Sequence, residues 1–274
     1  MKEFGTMVSD ILSNAPQEVR ENIKQTKELY AISRKDAVLD VIEAMNTEVD
    51  EEGMKEIPCD ICHGKGFITV YDEEKNWHKQ IPCKCMRSRR ALRFVDSQGL
   101  LPDVKRCTFA TYQPYDKATT DMKEAAKRFL KEMNWLLLSG QSGSGKSHLA
   151  YAIFGDLVKH QYAPVWMRWI QESQDLKMSV GEEDYDKRIA KLQNADVLII
   201  DDLFNLRPTE ADIRLARIII DHRYTNKLPT VITTELTLGE INDYDDAIAG
   251  RIAEMSIVYQ IAGKQHNYRM RDYL

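Results

Sequence analysis

The run Trp135-Leu136-Leu137-Leu138-Ser139 leads directly into Gly140-Gln141-Ser142-Gly143-Ser144-Gly145-Lys146-Ser147 and then His148-Leu149-Ala150. An apolar stretch short enough to be a buried strand, the pattern G-x-x-x-x-G-K-S and a helix-competent segment from Leu149 to Val158 follow one another in that order. This is the setting in which a glycine-rich loop binds phosphate. Three glycines let the backbone form a nest of N–H groups aimed at the anion, and the start of the next helix adds partial positive charge. Lys146 is placed to reach the β- and γ-phosphates of a nucleotide, and the Ser147 hydroxyl to ligate Mg²⁺. The nucleotide-binding set is therefore Gly140, Gln141, Ser142, Gly143, Ser144, Gly145, Lys146 and Ser147, with His148 next to it. A Gly/Ser-rich loop matching by chance would lack the strand before it and the helix after it.

Working outward, four further apolar runs read as strands: Pro164 to Trp169, Val197 to Asp202, Thr230 to Thr234 and Ser256 to Ile261. With the strand at Trp135 they make five. Helical segments separate them, and Thr119 to Met133 reads as a helix just before the loop. This alternation predicts an α/β fold, a mostly parallel, doubly wound five-stranded sheet with helices on both faces. The run at Val197 ends in Asp201-Asp202, which puts two carboxylates at the carboxyl end of a strand, where phosphates lie in such folds. Asp201 is expected to hold Mg²⁺ through water, and Asp202 to orient the attacking water. No Asn-Lys-x-Asp guanine motif appears, because Asn226-Lys227 is followed by Leu228-Pro229. ATP is favoured over GTP.

At 274 residues the chain has room for one large domain and a smaller one, and its hydrophobic content of 43% is that of an ordinary soluble protein. No apolar run approaches the roughly 20 residues of a membrane helix. The opening residues Met1-Lys2-Glu3-Phe4-Gly5 lead into no apolar signal region, so a cytoplasmic location is expected. A net charge of -5 argues against broad binding to duplex DNA, which rewards a basic surface, but leaves room for a local groove. In a reducing compartment five cysteines point to metal or free thiols, not disulfides.

Cys59-Asp60-Ile61-Cys62-His63-Gly64-Lys65-Gly66 is answered by Cys83-Lys84-Cys85. Two close thiolate pairs suit a tetrahedral Zn²⁺, and the glycines after Cys62 free backbone N–H groups to turn toward sulfur. Because the second pair is C-x-C, His63 or His78 remains an alternative to one cysteine. Zinc would staple a small subdomain that lacks enough core of its own. Cys107, alone, reads as a packed thiol. Upstream, residues 1 to about 50 read as helical, with Val38, Val41, Ile42 and Met45 at helical spacing and with Ser33 and Asp36 capping the last helix. That stripe is either core or a docking face for a partner. The acidic segment Glu48 to Gly53 reads as a connector. After Cys85, Arg87, Arg89, Arg90 and Arg93 make either a solvated helix face or a contact for single-stranded nucleic acid or an acidic partner. That helix ends at Gly99-Leu100-Leu101-Pro102. The boundary is placed near residue 96, giving a helical and zinc-binding N-terminal domain, 1–95, and an ATPase domain, 96–274.

The C-x-x-C-x-G-x-G subdomain, the Gly140 to Ser147 loop, the run into Asp201-Asp202, and Ala249-Gly250-Arg251-Ile252 together resemble the bacterial and phage DnaC/DnaI-type replicative helicase loaders, which are AAA+ ATPases. The resemblance covers roughly residues 55 to 262, and the transposition helper IstB is similar over the ATPase part. It implies an ATPase, slow and stimulated by single-stranded DNA, whose N-terminal domain grips the replicative helicase and whose ATPase domains self-associate around single-stranded DNA. It also implies that Arg251 is an arginine finger, the alternative being a surface salt bridge. Thr233-Thr234-Glu235 falls where the family has its sensor-1 residue, with Thr234 the catalytic candidate and Glu235 where asparagine is common. Asp202 stands where many relatives carry glutamate, which fits slow hydrolysis. The segment Gln171 to Lys191 falls where related proteins carry a helical element touching single-stranded DNA. Only 274 − 251 = 23 residues follow Arg251, about six of them in the last strand, so no helical lid is expected. Arg269 and Arg271 are too weakly placed for sensor 2. Two rival functions are an IstB-like ATPase working with a transposase, against which the cysteine subdomain speaks, and a small-molecule phosphotransferase, for which neither acceptor pocket nor lid is evident.

Overall fold

The structure, a computed structural model, describes residues 17–261. The helical expectation for residues 1–16 and the tail arginines Arg269 and Arg271 lie outside the described residues. The chain divides into two compact units, Met1–Met86 and Arg87–Leu274.

In the first unit, α1 (Gln17–Thr47) is one uninterrupted helix of 31 residues. Ser33 therefore lies inside it and no helix begins there: the capping signal is local, and good helix formers on both sides carry the helix through. Of the stripe residues, Val38 is buried, Ile42 is half-buried, and Val41 and Met45 are exposed. The segment read as a connector contains a short helix, α2 (Glu51–Glu56), capped by the Asp50 side chain, which accepts from the Gly53 N–H at 3.1 Å. An antiparallel hairpin follows, β1 (Phe67–Asp72) with β2 (Trp77–Pro82). Asn46 of α1 joins β1 by donating to the Thr69 carbonyl at 2.9 Å and accepting the Thr69 N–H at 2.8 Å.

The helix α3 (Cys85–Ser97) leads into the second unit, and one of its four arginines, Arg89, is out of solvent. Arg87, Arg90 and Arg93 are exposed, and Arg87 pairs with Asp196 at 2.6 Å. The following elements are α4 (Leu101–Arg106), α5 (Lys117–Glu132), β3 (Trp135–Gly140), α6 (Lys146–Lys159), β4 (Val165–Arg168), α7 (Trp169–Met178), α8 (Tyr185–Gln193), β5 (Leu198–Asp201), α9 (Glu210–Thr225), β6 (Thr230–Thr234), α10 (Leu238–Tyr244), α11 (Asp246–Met255) and β7 (Ser256–Ile261). All five strands are parallel, in the order β4-β5-β6-β3-β7. Because side chains alternate along a strand, Leu137, Leu198, Ile200 and Ile232 pack with Leu215, Ile219, Ile248 and Ile252 of α9 and α11 on one face. On the other, Trp166 of β4 stacks on Tyr151 of α6 at 4.2 Å. Continuous burial on both faces explains why β3 and β5 open as apolar runs, Trp135 to Leu138 and Leu198 to Ile200.

Arg223 is a structural cation that the sequence hides in the last turn of α9. It is fully buried. It donates to the carbonyls of Leu192, Gln193, Ala195 and Pro229 at 2.6 to 3.1 Å and to the Thr230 hydroxyl at 2.9 Å. Burial lowers its pKa to about 10, which still leaves it charged at neutral pH. Arg223→Met should strand these acceptors and cost about 3 kcal/mol or more. Thermal unfolding should then shift down by roughly 6–12 °C; a midpoint unchanged from the wild type would contradict this role.

Candidate nucleotide and metal sites

The loop between β3 and α6 turns on left-handed glycines, among them Gly145 at φ 95°. A Cβ there would also lie 2.7 Å from the ring of Tyr112, so no other residue fits. Lys146 begins α6, and its buried ammonium donates to the carbonyls of Gly140 at 2.6 Å and Gln141 at 2.9 Å. Inside the loop the Gln141 amide nitrogen and the Ser144 hydroxyl are buried without a hydrogen-bond partner. Buried polar atoms of this kind call for an acceptor or donor from outside the chain. A polyphosphate among these groups fits the loop.

Asp201 ends β5 and is buried. Its Oδ1 accepts from the Ser147 hydroxyl at 3.1 Å and from the Thr233 hydroxyl at 2.6 Å. Burial pushes its carboxyl up, Asp202 adds to this, and the two hydroxyls with the Lys146 charge oppose it. A buried carboxylate beside a serine hydroxyl is a hard-oxygen pair suited to Mg²⁺. Asp202 follows in a left-handed conformation, φ 60°, which aspartate tolerates. Its N–H donates to the Thr233 hydroxyl at 2.9 Å, and its carboxylate takes no hydrogen bond or ion pair from the described residues.

Lys146, Ser147, Asp201 and Asp202 are thus brought together, as the sequence implies. Thr234 is not: its hydroxyl donates to the Leu203 carbonyl at 2.7 Å, and the hydroxyl that touches Asp201 belongs to Thr233. Glu235 is exposed. His148 faces the segment before α5, its Nε2 3.1 Å from the Thr108 carbonyl and its ring edge-on to Tyr112, and burial lowers its pKa. Tyr112 was missed because nothing in its local sequence marks it; only the fold brings it to Gly145. Arg251 on α11 is held by its own chain. It makes an ion pair with Asp221 at 3.0 Å, donates to the Ala247 carbonyl at 2.9 Å, and lies 5.5 Å from the Tyr224 ring centre.

In the first unit the sulfurs of Cys59, Cys62, Cys83 and Cys85 are buried and all within 4.8 Å of one another, and neither His63 nor His78 joins them. The closest pairs are 3.7 Å (Cys59 and Cys83) and 3.5 Å (Cys62 and Cys85). A tetrahedron with metal–sulfur bonds of about 2.3 Å has edges of about 3.8 Å, so the four thiols fit Zn²⁺. The Gly66 N–H donates to the Cys62 sulfur at 3.3 Å, as the glycine pattern suggests. Gly64 permits the tight turn: at φ 90°, its Cβ would lie 2.2 Å from the Asp50 carbonyl oxygen. We expect one zinc per chain by metal analysis, and Cys83→Ala to lose most of it and loosen residues 55–90 to proteolysis. Absence of zinc, or full retention in Cys83→Ala, would refute the four-cysteine site. Cys107 is a buried thiol apart from this cluster.

The family described as IstB-like ATP binding protein matches residues 80–272. In Bacillus subtilis (strain 168), the uncharacterized protein YqaM is 27% identical over 230 residues, 76% of this chain and 73% of that protein. The phage-like element PBSX protein XkdC of the same organism is 28% identical over 204 residues, 69% of this chain and 76% of that protein. Among solved structures, the DnaC helicase loader is similar with a TM-score of 0.54 at 24% identity, over 58% of this chain and 98% of that one. At that identity the likeness is one of fold: a DnaC-like AAA+ sheet. No helix among the described residues is long and apolar enough to cross a membrane.

Proposed function

Because this chain belongs to the IstB-like ATP-binding protein family, an AAA+ ATPase family, we propose that it uses ATP to place a replicative DNA helicase on single-stranded DNA. The observation that carries the loader reading is the separate N-terminal unit: a four-thiol cluster beside a long helix that exposes Leu39, Val41 and Met45, with Val49 exposed just beyond it. A bare ATPase has no need of such a unit, whereas a protein that must hold a second protein does. The helical and zinc-binding N-terminal domain, 1–95, would grip the helicase, and the ATPase domain, 96–274, would self-associate around the strand. The segment Gln171 to Lys191, which lies within the α7–α8 pair, would meet the DNA.

In the ATPase, Lys146 and the loop amides bind the polyphosphate, while Ser147 and Asp201 would hold Mg²⁺, which neutralises charge between the phosphates. Asp202, unencumbered by partners, orients the attacking water and accepts its proton. Thr233 fixes both acids, by donating to one carboxylate and accepting the other residue's N–H. The experiment is co-purification with the host's replicative helicase, combined with ATPase assays with and without single-stranded DNA. A stable complex and stimulated hydrolysis are expected. Stimulation without helicase binding would instead favour an IstB-like helper of a transposase, and phosphorylation of a small nucleotide without any response to DNA would favour a phosphotransferase.

A further inference from the structure

We propose that Arg168 is a further residue of the ATP site, its guanidinium binding the terminal phosphate of the nucleotide; this rests on the reading of the Gly140 to Ser147 loop as an ATP site. Arg168 ends β4, two residues after Trp166, and so shares a strand face with it. That face is the one toward α6, because Trp166 stacks on Tyr151 with ring centres 4.2 Å apart and planes 6° from parallel. Tyr151 stands one helical turn beyond Ser147. Across the sheet the Cα partner of Arg168 is Asp201, whose carboxylate meets Ser147 at 3.1 Å. Arg168 therefore extends the row of Ser147 and Asp201 along the carboxyl ends of the strands.

Among the described residues no hydrogen bond or ion pair engages this guanidinium. Its Nε is buried without a hydrogen-bond partner. The acid one turn on, Glu172, accepts the Arg168 backbone N–H at 3.1 Å and the Gln98 amide at 3.3 Å instead of pairing with the guanidinium. Burial raises the Glu172 pKa, opposed by those two hydrogen bonds and by the charges of Lys191 and Arg168. A guanidinium does not escape its charge by losing a proton, and its planar fork matches phosphate oxygens. The anion that the ATPase reaction brings to this end of the sheet is the polyphosphate. The extra phosphate that distinguishes ATP from ADP is the one nearest the catalytic acids, so Arg168 would sense which nucleotide is bound.

The test is a titration of the full chain with Mg·ATP and with Mg·ADP, in wild type, Arg168→Gln and Arg168→Lys, with thermal unfolding as the check of folding. Arg168→Gln should weaken ATP about tenfold to a hundredfold and ADP less than about twofold. Arg168→Lys, which keeps the charge but loses the fork, should fall between and still discriminate; it carries the test if the glutamine variant fails to fold. Equal losses for both nucleotides, or none, would overturn the proposal. So would a fall in kcat at unchanged ATP affinity, which would assign Arg168 to Asp202, or a loss confined to single-stranded DNA binding. Failure of the wild type itself to bind ATP would instead refute the loop reading.

Discussion

Replacing Lys146 by alanine should weaken ATP binding roughly a hundredfold or more and leave the fold intact. Lys146 is only 5% exposed and its ammonium is oriented by the Gly140 and Gln141 carbonyls at 2.6 and 2.9 Å, so it is positioned within the loop. A charge-assisted contact to phosphate is worth about 3 kcal/mol, and a hundredfold is about 2.7 kcal/mol. Alanine leaves two loop carbonyls to water, which should cost no more than about 2 kcal/mol of stability. Asp202→Asn should do the reverse, keeping ATP affinity and losing hydrolysis, because Ser147 and Asp201 are untouched. Calorimetric titration of both variants checks the division: equal affinity in Lys146→Ala and wild type would refute the first half, and joint loss of binding and hydrolysis in Asp202→Asn the second.

The features legible in the sequence are those whose cause is local. A strand buried on both faces must be apolar throughout, so β3 and β5 announce themselves, and a phosphate loop needs glycines at fixed offsets. Four thiols at two close spacings were legible for the same reason, and the structure gathers all four. What escaped notice depends on register or on distant chain. Thr233 and Thr234 are adjacent hydroxyls of equal local plausibility. Only the parallel pairing of β6 with β5, in which Ile232 stands opposite Ile200, decides that the hydroxyl of Thr233 reaches Asp201. Tyr112 lies over thirty residues before Gly145 and meets it through the packing around α6. Arg223 has the sequence appearance of a basic residue favouring a helix C-terminus, and its burial follows from carbonyls contributed by two other loops. Arg89 shows the converse error, a member of a basic run that the fold takes out of solvent.

On the loader reading proposed above, Arg251→Ala should bind ATP normally yet lose the hydrolysis that single-stranded DNA would stimulate. Guanidinium is always charged and offers a fork of donors, so an arginine at the edge of one subunit can complete the active site of the next. Within its own chain Arg251 is engaged by Asp221, in an ion pair at 3.0 Å that is out of line for a hydrogen bond, and by the Ala247 carbonyl. At about 30% side-chain exposure it is reachable from outside. A finger role requires that assembly draw it from Asp221 to a neighbour's phosphate, an exchange of one exposed anion for a more highly charged one. Mixing supplies the decisive measurement. Lys146→Ala protein has an intact arginine and a dead loop, and Arg251→Ala protein has the opposite, so a mixed assembly contains junctions with both parts whole. ATPase activity should reappear in the mixture at a fraction of the wild-type level, well above either variant alone. If the mixture stays inactive where assembly is verified by sedimentation, or if Arg251→Ala alone hydrolyses ATP at the wild-type stimulated rate, Arg251 does not act between subunits and its ion pair with Asp221 is its whole role.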